Sequence, residues 1–199
     1  MLASVLHQPK LREMILKTVF LDRDGVINQK MPEGEYVRRA ADFRLLPGVP
    51  AAIARLNRAG ARIIIVSNQR GVALGLYTTE AVDSIHASLQ KELRSSDAHI
   101  DAFFYCPHDK ESCGCRKPSP GMFEQARERF PDITPGTSVM IGDSSSDVEF
   151  GRAVGMKTIW IEGSGANRRP GWEKAAGLAD ASFASLPEAV EGLLGHSDE

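Results

Sequence analysis

The sequence predicts an α/β fold, a parallel sheet with helices on both faces, and three observations carry the prediction. Short β-branched or aromatic runs recur along the chain, amphipathic stretches of helical period separate them, and charged or hydroxyl residues gather just past the runs. Strands alternating with helices are the pattern of a parallel sheet buried by its crossover helices. Thr18 to Leu21 reads as the first strand and ends at a cluster of aspartates. Pro50 to Ala59 spaces Ala52, Ile53, Leu56 and Ala59 along one helical stripe, closed by Gly60 at C′. Ile63 to Val66 is the second buried strand. Thr78 or Thr79 caps a helix that carries Val82, Ile85, Leu89 and Leu93 on one face. Ala102 to Tyr105 forms the third strand. Ser119 as N-cap and Pro120 at N1 open a helix with Met122, Phe123, Ala126 and Phe130. Ser138 to Ile141 is a fourth strand, Asp147 to Val154 a short helix closed by Gly155, and Thr158 to Ile161 a fifth strand. Leu186 to Leu194 reads as the final helix. Asn28 to Pro47 is a long insertion, and Gly163 to Gly177, with Arg168, Arg169 and Pro170, reads as loop.

At 199 residues and 42% hydrophobic the chain is long enough for a full core without staples. We expect a single domain over 18–195 after an extension at 1–17, helical at best from Leu11. Lys and Arg number 24 against 26 Asp and Glu, so the basic excess of a nucleic-acid binder is missing. The longest β-like apolar run, Ile63 to Val66, is four residues and far too short to span a bilayer. Leu2 to Leu6 is cut short by His7, Gln8 and Pro9, which is no signal peptide. The expectation is a cytoplasmic monomer with no membrane and no nucleic-acid partner. His7, His86, His99 and His196 carry no pattern.

The three cysteines, Cys106, Cys113 and Cys115, fall within ten residues, which is no disulfide framework. With His108 they supply four soft or borderline ligands in one loop, the Cys₃His set of a structural zinc site. Four protein ligands leave no open position, so this zinc would pin the loop and take no part in chemistry.

Ligands of open α/β sheets sit beyond the carboxyl ends of the strands. There the sequence reads Asp22-Arg23-Asp24-Gly25 after the first strand, Ser67-Asn68-Gln69 after the second and Gly142-Asp143 after the fourth. Crowded carboxylates favour a cation, and hard oxygens shared with a phosphate suit Mg²⁺. Asp22 and Asp143 are the natural pair. A phosphate bridging that ion would meet Lys117 on a second side and Ser67 on a third, a clamp suited to phosphoryl transfer. Asp22 is then the nucleophile that forms an aspartyl-phosphate. Asp24 is the acid/base that protonates the leaving oxygen and later takes a proton from water. Asp143 has a second expected role as N-cap of the helix that follows.

Asp22-x-Asp24-Gly25-Val26-Ile27-Asn28, Ser67-Asn68-Gln69, Lys117 and Gly142-Asp143-x₃-Asp147 resemble the four motifs of the haloacid dehalogenase (HAD) superfamily phosphatases, over roughly residues 18 to 162. The resemblance implies a Rossmann-like sheet, Mg²⁺ dependence and a role for Asp24 in holding Mg²⁺ through its carbonyl, beside Asp22 and Asp143. The stretch from Cys106 to Met122 narrows this. It is similar to the D-glycero-D-manno-heptose-1,7-bisphosphate 7-phosphatases, with histidinol-phosphate phosphatases as cousins that share the zinc loop. Pro118 to Met122 leans to the heptose branch. The likeness implies no large cap domain, a small phosphorylated sugar as substrate and a place in carbohydrate metabolism. It makes Arg116 and Lys117 grip the substrate, lines the pocket with Ser67, Asn68, Gln69 and Arg70, and gives Tyr36 of the insertion to the lid. Three positions depart from the family pattern: Ser144 and Leu74 where a lysine and an arginine are common, and Arg70 where a small residue is usual. A phospho-receiver would also set acidic residues at strand ends, but it must keep its phosphate, and Asp24 beside the nucleophile serves turnover instead.

Overall fold

The computed structural model describes residues 14–32, 34–110, 112–163 and 171–195. Six strands, β1 (Thr18–Leu21), β2 (Arg62–Asn68), β3 (Ala102–Cys106), β4 (Ser138–Gly142), β5 (Lys157–Ile161) and β6 (Ala181–Phe183), form one sheet in the order β3-β2-β1-β4-β5-β6. Every neighbouring pair is parallel, with Leu21 in register with Ile65 on one side and Ile141 on the other. Among the described residues six α-helices accompany it: α1 (Val49–Arg58), α2 (Thr79–Arg94), α3 (Gly121–Arg129), α4 (Ser145–Ala153), α5 (Trp172–Leu178) and α6 (Leu186–Leu194).

The period-2 alternation of strand side chains divides the core. Val19, Leu21, Ile63, Ile65, Val139 and Ile141 point to one face, where Ile53 and Leu56 of α1, Ile85 and Leu89 of α2 and Val190 of α6 cover them. Phe20, Ile64, Val66 and Met140 point to the other, against Met122, Phe123 and Ala126 of α3 and Phe150 of α4. The predicted sheet with helices on both faces is what the chain builds. Between β1 and α1 the described residues form only one helical turn, at Ala40–Asp42, so no cap domain interrupts the sheet.

Local chemistry sets the element ends. Thr78 caps α2 by accepting from Ala81 N–H, and Gly60 leaves α1 with φ 77°. Three expectations change. α3 starts at Gly121 and not at Pro120; Pro120 is the N-cap, and no side chain caps the helix. The cause is the loop beside it, because Gly121 N–H donates to Gly114 O at 3.0 Å and a Cβ on Gly121 would meet that carbonyl. The loop read over Gly163 to Gly177 overlaps α5, which tertiary packing stabilises: Ala175 is buried and the Trp172 ring stacks on Trp160, centroids 6.0 Å apart. The short edge strand β6 has too few residues to show a period. Arg168, Arg169, Pro170, His7, His196 and the stretch from Leu11 to Glu13 lie outside the described residues, whereas Met14 and Leu16 pack on the core.

The β5–β6 side of the sheet carries a pH-dependent contact. Asp180 accepts from Lys157 Nζ at 2.8 Å and from Thr158 N–H at 2.9 Å. Burial alone would raise its pKa, but the Lys157 and Thr158 hydrogen bonds outweigh it and hold the carboxyl below its usual range. A depressed carboxyl contributes stability above its unfolded value, lost as pH falls through the folded one. Asp180→Asn should therefore cost about 1 kcal/mol at pH 7, and urea titrations should show the deficit fading below about pH 4.

Candidate active site

The strand order reverses at β1: the chain moves outward to β2 and β3, then returns to β4 on the opposite side. The crevice of such a sheet opens beyond the carboxyl ends at that reversal. Asp22 is the first residue past β1, tied to the neighbouring strand by its N–H to Ile141 O at 2.9 Å. Asp143 follows β4 and Ser67 lies near the end of β2. Gly25 turns the chain with φ 102°, and a Cβ there would overlap the Asp143 carboxylate, so the turn and the close approach both require glycine.

Carboxylate oxygens of Asp22, Asp143 and Asp147 lie within 4.8 Å of one another. Lys117, only 3% exposed, reaches into this group from the loop before α3. Its Nζ is 2.8 Å from Asp22 Oδ1, 2.6 Å from Asp147 Oδ1 and 2.7 Å from Val66 O. Burial works against its charge, but Asp147 and Asp22 outweigh burial and raise its pKa above the ordinary lysine value. Asn68 fixes the lysine's backbone from both sides: Lys117 N–H donates to Asn68 Oδ1 at 3.0 Å, and Asn68 Nδ2 donates to Lys117 O at 3.1 Å.

Asp24 is held separately. Its carboxylate accepts from Arg23 Nη2 at 2.9 Å, Asn28 Nδ2 at 3.0 Å and Gln69 Nε2 at 3.0 Å. Burial pushes its pKa up, yet the Arg23 charge and these hydrogen bonds outweigh that and leave it lowered. Gln69 knits the network further, donating to Ser67 Oγ at 2.7 Å and accepting from Tyr77 OH at 2.8 Å. Arg23, buried at 1% exposure and marked by no sequence pattern, is the ion-pair partner of Asp24. His86 shows how deep this region lies. Its ring stacks on Phe103, and burial, then the Arg23 charge, lower its pKa to about 3, so it stays neutral.

The sequence-named residues thus fall into groups. Asp22, Asp143 and Lys117 converge, together with Asp147. The Asp24 carboxylate is not in that cluster. Asn68 and Gln69 spend their amides on Lys117 and Asp24. Arg70 pairs with Asp109 of the cysteine loop at 2.5 Å, and Arg116 Nη1 is buried with no protein partner among the described residues. Tyr36 reaches the site's edge, its ring 5.9 Å from that of Tyr77. Asp143 is not an N-cap. Ser144 is, and Asp147 Oδ2 accepts from Ser144 N–H at 3.0 Å and from Ser144 Oγ at 2.6 Å. A serine followed three residues later by an acid is a capping box, a signal present in the sequence.

Cys106 at the end of β3, His108, Cys113 and Cys115 also converge. The Sγ atoms of Cys106 and Cys113 are 3.4 Å apart, as are those of Cys113 and Cys115, and His108 Nδ1 lies 3.3 Å from Cys115 Sγ. A tetrahedron with zinc–sulfur bonds of about 2.3 Å has edges of about 3.8 Å, so the donor set fits that ion with a small expansion.

Comparison with known proteins decides the family. A HAD-hydrolase-like family model matches residues 114–189. The chain is 42% identical over 171 residues to the D-glycero-alpha-D-manno-heptose-1,7-bisphosphate 7-phosphatase of Mycobacterium bovis, covering 85% of this chain and 87% of that one. The chain belongs to the heptose-bisphosphate phosphatase family of HAD-like hydrolases. The beta-anomer phosphatase of Vibrio cholerae is 35% identical over 189 residues, covering 91% and 98%. The crystal structure of the D,D-heptose 1,7-bisphosphate phosphatase of Bordetella bronchiseptica, complexed with magnesium and phosphate, superposes with a TM-score of 0.79 at 31% identity, covering 89% and 98%. Among the described residues no helix is long and apolar enough to cross a membrane.

If the Cys₃His group of this phosphatase holds zinc, removing one thiolate must loosen the loop that carries Arg116 and Lys117. Cys113→Ser should lower the melting temperature by about 6 °C, equivalent to about 2 kcal/mol for a domain of this size. Elemental analysis should find one zinc per chain in the wild type; a metal-free wild type would refute the site.

Proposed function

We propose that this enzyme hydrolyses the 7-phosphate of D-glycero-D-manno-heptose 1,7-bisphosphate through a phosphoryl group carried on Asp22. One observation carries the reading: a fully enclosed ammonium, Lys117, brackets Asp22 and Asp147 at the sheet's switch point, beside Asp143. The three carboxylates have the donor chemistry for Mg²⁺, which prefers hard oxygens and keeps waters and phosphate as further ligands. Held by Asp22, Asp143 and the Asp24 carbonyl, that ion would draw charge from the phosphoryl oxygens.

The remaining steps belong to the chain. A carboxylate oxygen of Asp22 bonds to phosphorus as the bond from phosphorus to the sugar oxygen breaks, with Lys117 offsetting charge on the phosphoryl oxygens. Asp24 gives the leaving oxygen a proton. Its carboxyl is held low in the resting site, and the arriving dianion raises its proton affinity. In the second step Asp24 takes a proton from water as that water attacks phosphorus; inorganic phosphate leaves and the Asp22 carboxylate is restored. Ser67 and Arg116 are the groups best placed to meet phosphate and sugar oxygens. The near-neutral net charge supports a small-molecule substrate over a nucleic acid, and the enzyme is proposed to act as a cytoplasmic monomer.

The test is phosphate release from both anomers of the bisphosphate, with histidinol phosphate alongside. Turnover of a heptose bisphosphate at least tenfold above histidinol phosphate is expected. Brisk turnover of histidinol phosphate alone would move the substrate to the cousin family, and stoichiometric phosphorylation without turnover would make the chain a receiver.

A further inference from the structure

Lys30 belongs to none of the sequence motifs, yet it completes the electrostatics of the carboxylate cluster. It lies in the insertion between β1 and α1, and its Nζ is 2.6 Å from Asp143 Oδ2. Among the described residues two ammonium groups contact these three carboxylates, and they do so differently. The Lys117 side chain is 2% exposed and reaches Asp22, Asp147 and the Val66 carbonyl at once, so nothing short of local unfolding frees it. The Lys30 side chain is 19% exposed and arrives on a loop, tethered to Asp143 at one end of the cluster.

A divalent cation taken up by the same Asp143 oxygen at a bond of about 2.1 Å would lie within about 4.7 Å of that ammonium. Like charges at such a distance in a partly buried site repel strongly. With both ammonium groups and a dication the cluster would also turn net positive, whereas Lys117 and a dication together neutralise it. The more exposed of the two lysines is the one that yields.

Resting on the proposed metal reading of the cluster, we infer that Lys30 is a built-in competitor of the divalent cation: its ammonium neutralises Asp143 in the metal-free enzyme and gives way when the cation binds. Lys30 thereby stabilises the empty site and weakens metal affinity. The phosphatase keeps a folded cleft without metal, and metal uptake becomes an exchange of one cation for another.

The experiment is calorimetric titration of metal-free wild type, Lys30→Met and Lys30→Gln with Mg²⁺ in the absence of substrate, paired with thermal melts. Both variants should bind Mg²⁺ about tenfold more tightly than wild type, a difference of about 1.4 kcal/mol. Both should melt lower than wild type without metal, with the gap closing as Mg²⁺ saturates the site, because only the metal-free state uses the contact. A merely structural lysine would lower the melting temperature at every Mg²⁺ concentration and leave the affinity unchanged. Equal or weaker Mg²⁺ binding in both variants overturns the inference while leaving the metal site standing. Absence of Mg²⁺ binding in all three proteins removes the metal reading and this inference together.

Discussion

Asp22→Asn should lower kcat by at least ~10⁴-fold while the chain still folds, because an amide oxygen does not attack phosphorus as a carboxylate does. The substitution is nearly isosteric. Asn keeps an Oδ1 acceptor for Lys117 Nζ, which lies 2.8 Å from Asp22 Oδ1, and the backbone tie from residue 22 to Ile141 O is untouched. The folding cost is thus limited to the charged part of one contact, about 1–2 kcal/mol. Rapid quench with a radiolabelled bisphosphate separates the two effects. Wild type should show phosphate bound to protein before free phosphate accumulates, and the variant should show neither. Residual turnover above about 1% of wild type in a homogeneous preparation would mean that another group attacks phosphorus, and the role given to Asp22 would fall.

The parts of this fold that were legible in the sequence are those where local and tertiary signals agree. Val19, Leu21, Ile63 and Ile65 are apolar because both faces of a central parallel strand are buried, so a continuous run marks the strand without an alternating pattern. α6 could be read to its ends because Ser185 accepts from Glu188 N–H and Leu186, Ala189, Val190 and Leu193 share a buried face. β6 and α5 were not legible. Three strand residues show no period, and α5 depends on a Trp160–Trp172 stack with the preceding strand, which helical periodicity does not encode.

The site divides in the same way. The residues proposed to do chemistry sit at strand ends, where a charge after an apolar run is conspicuous, so Asp22 and Asp143 stood out. Residues that orient them do not. Asn68 was legible as a polar strand end, but its hold on both backbone groups of Lys117 spans 49 positions of sequence. Lys30 reaches Asp143 across 113 positions, and no local pattern encodes that approach. Arg23 lies between the two aspartates, where an exposed turn residue would look identical; only its burial identifies it as the counterion of Asp24. The role of Asp147 divides between its oxygens, one capping α4 and the other holding Lys117. The Ser144-to-Asp147 spacing carries a signal for the first, which the sequence reading gave to Asp143 instead, and no spacing encodes the second.

Lys117→Met has the largest expected effect on stability as well as a large one on rate. In the wild type this ammonium is enclosed by Asp22 Oδ1 at 2.8 Å, Asp147 Oδ1 at 2.6 Å and the Val66 carbonyl at 2.7 Å. Deleting it removes this counter-charge from two buried carboxylates, and removing one partner of a buried ionic group typically costs about 3–5 kcal/mol. The loss has a pH signature. A lysine whose folded pKa is raised contributes stability that is complete below its unfolded value and disappears as pH rises through the folded one. The difference in unfolding free energy between wild type and Lys117→Met should therefore be level from pH 7 to about pH 10 and shrink above about pH 10.4, as the wild type loses what the variant never had. Loss of the ammonium proposed to offset charge on the phosphoryl oxygens should also lower kcat by about 10³-fold. Lys117→Arg gives the control, since a planar guanidinium cannot reproduce the three-way contact of a compact ammonium in so closed a space. It should retain more of the stability than Met and little of the rate. If Lys117→Met instead kept wild-type stability at pH 7, the ammonium would not be neutralising the cluster, and the charge balance assigned to Asp22 and Asp147 would be wrong.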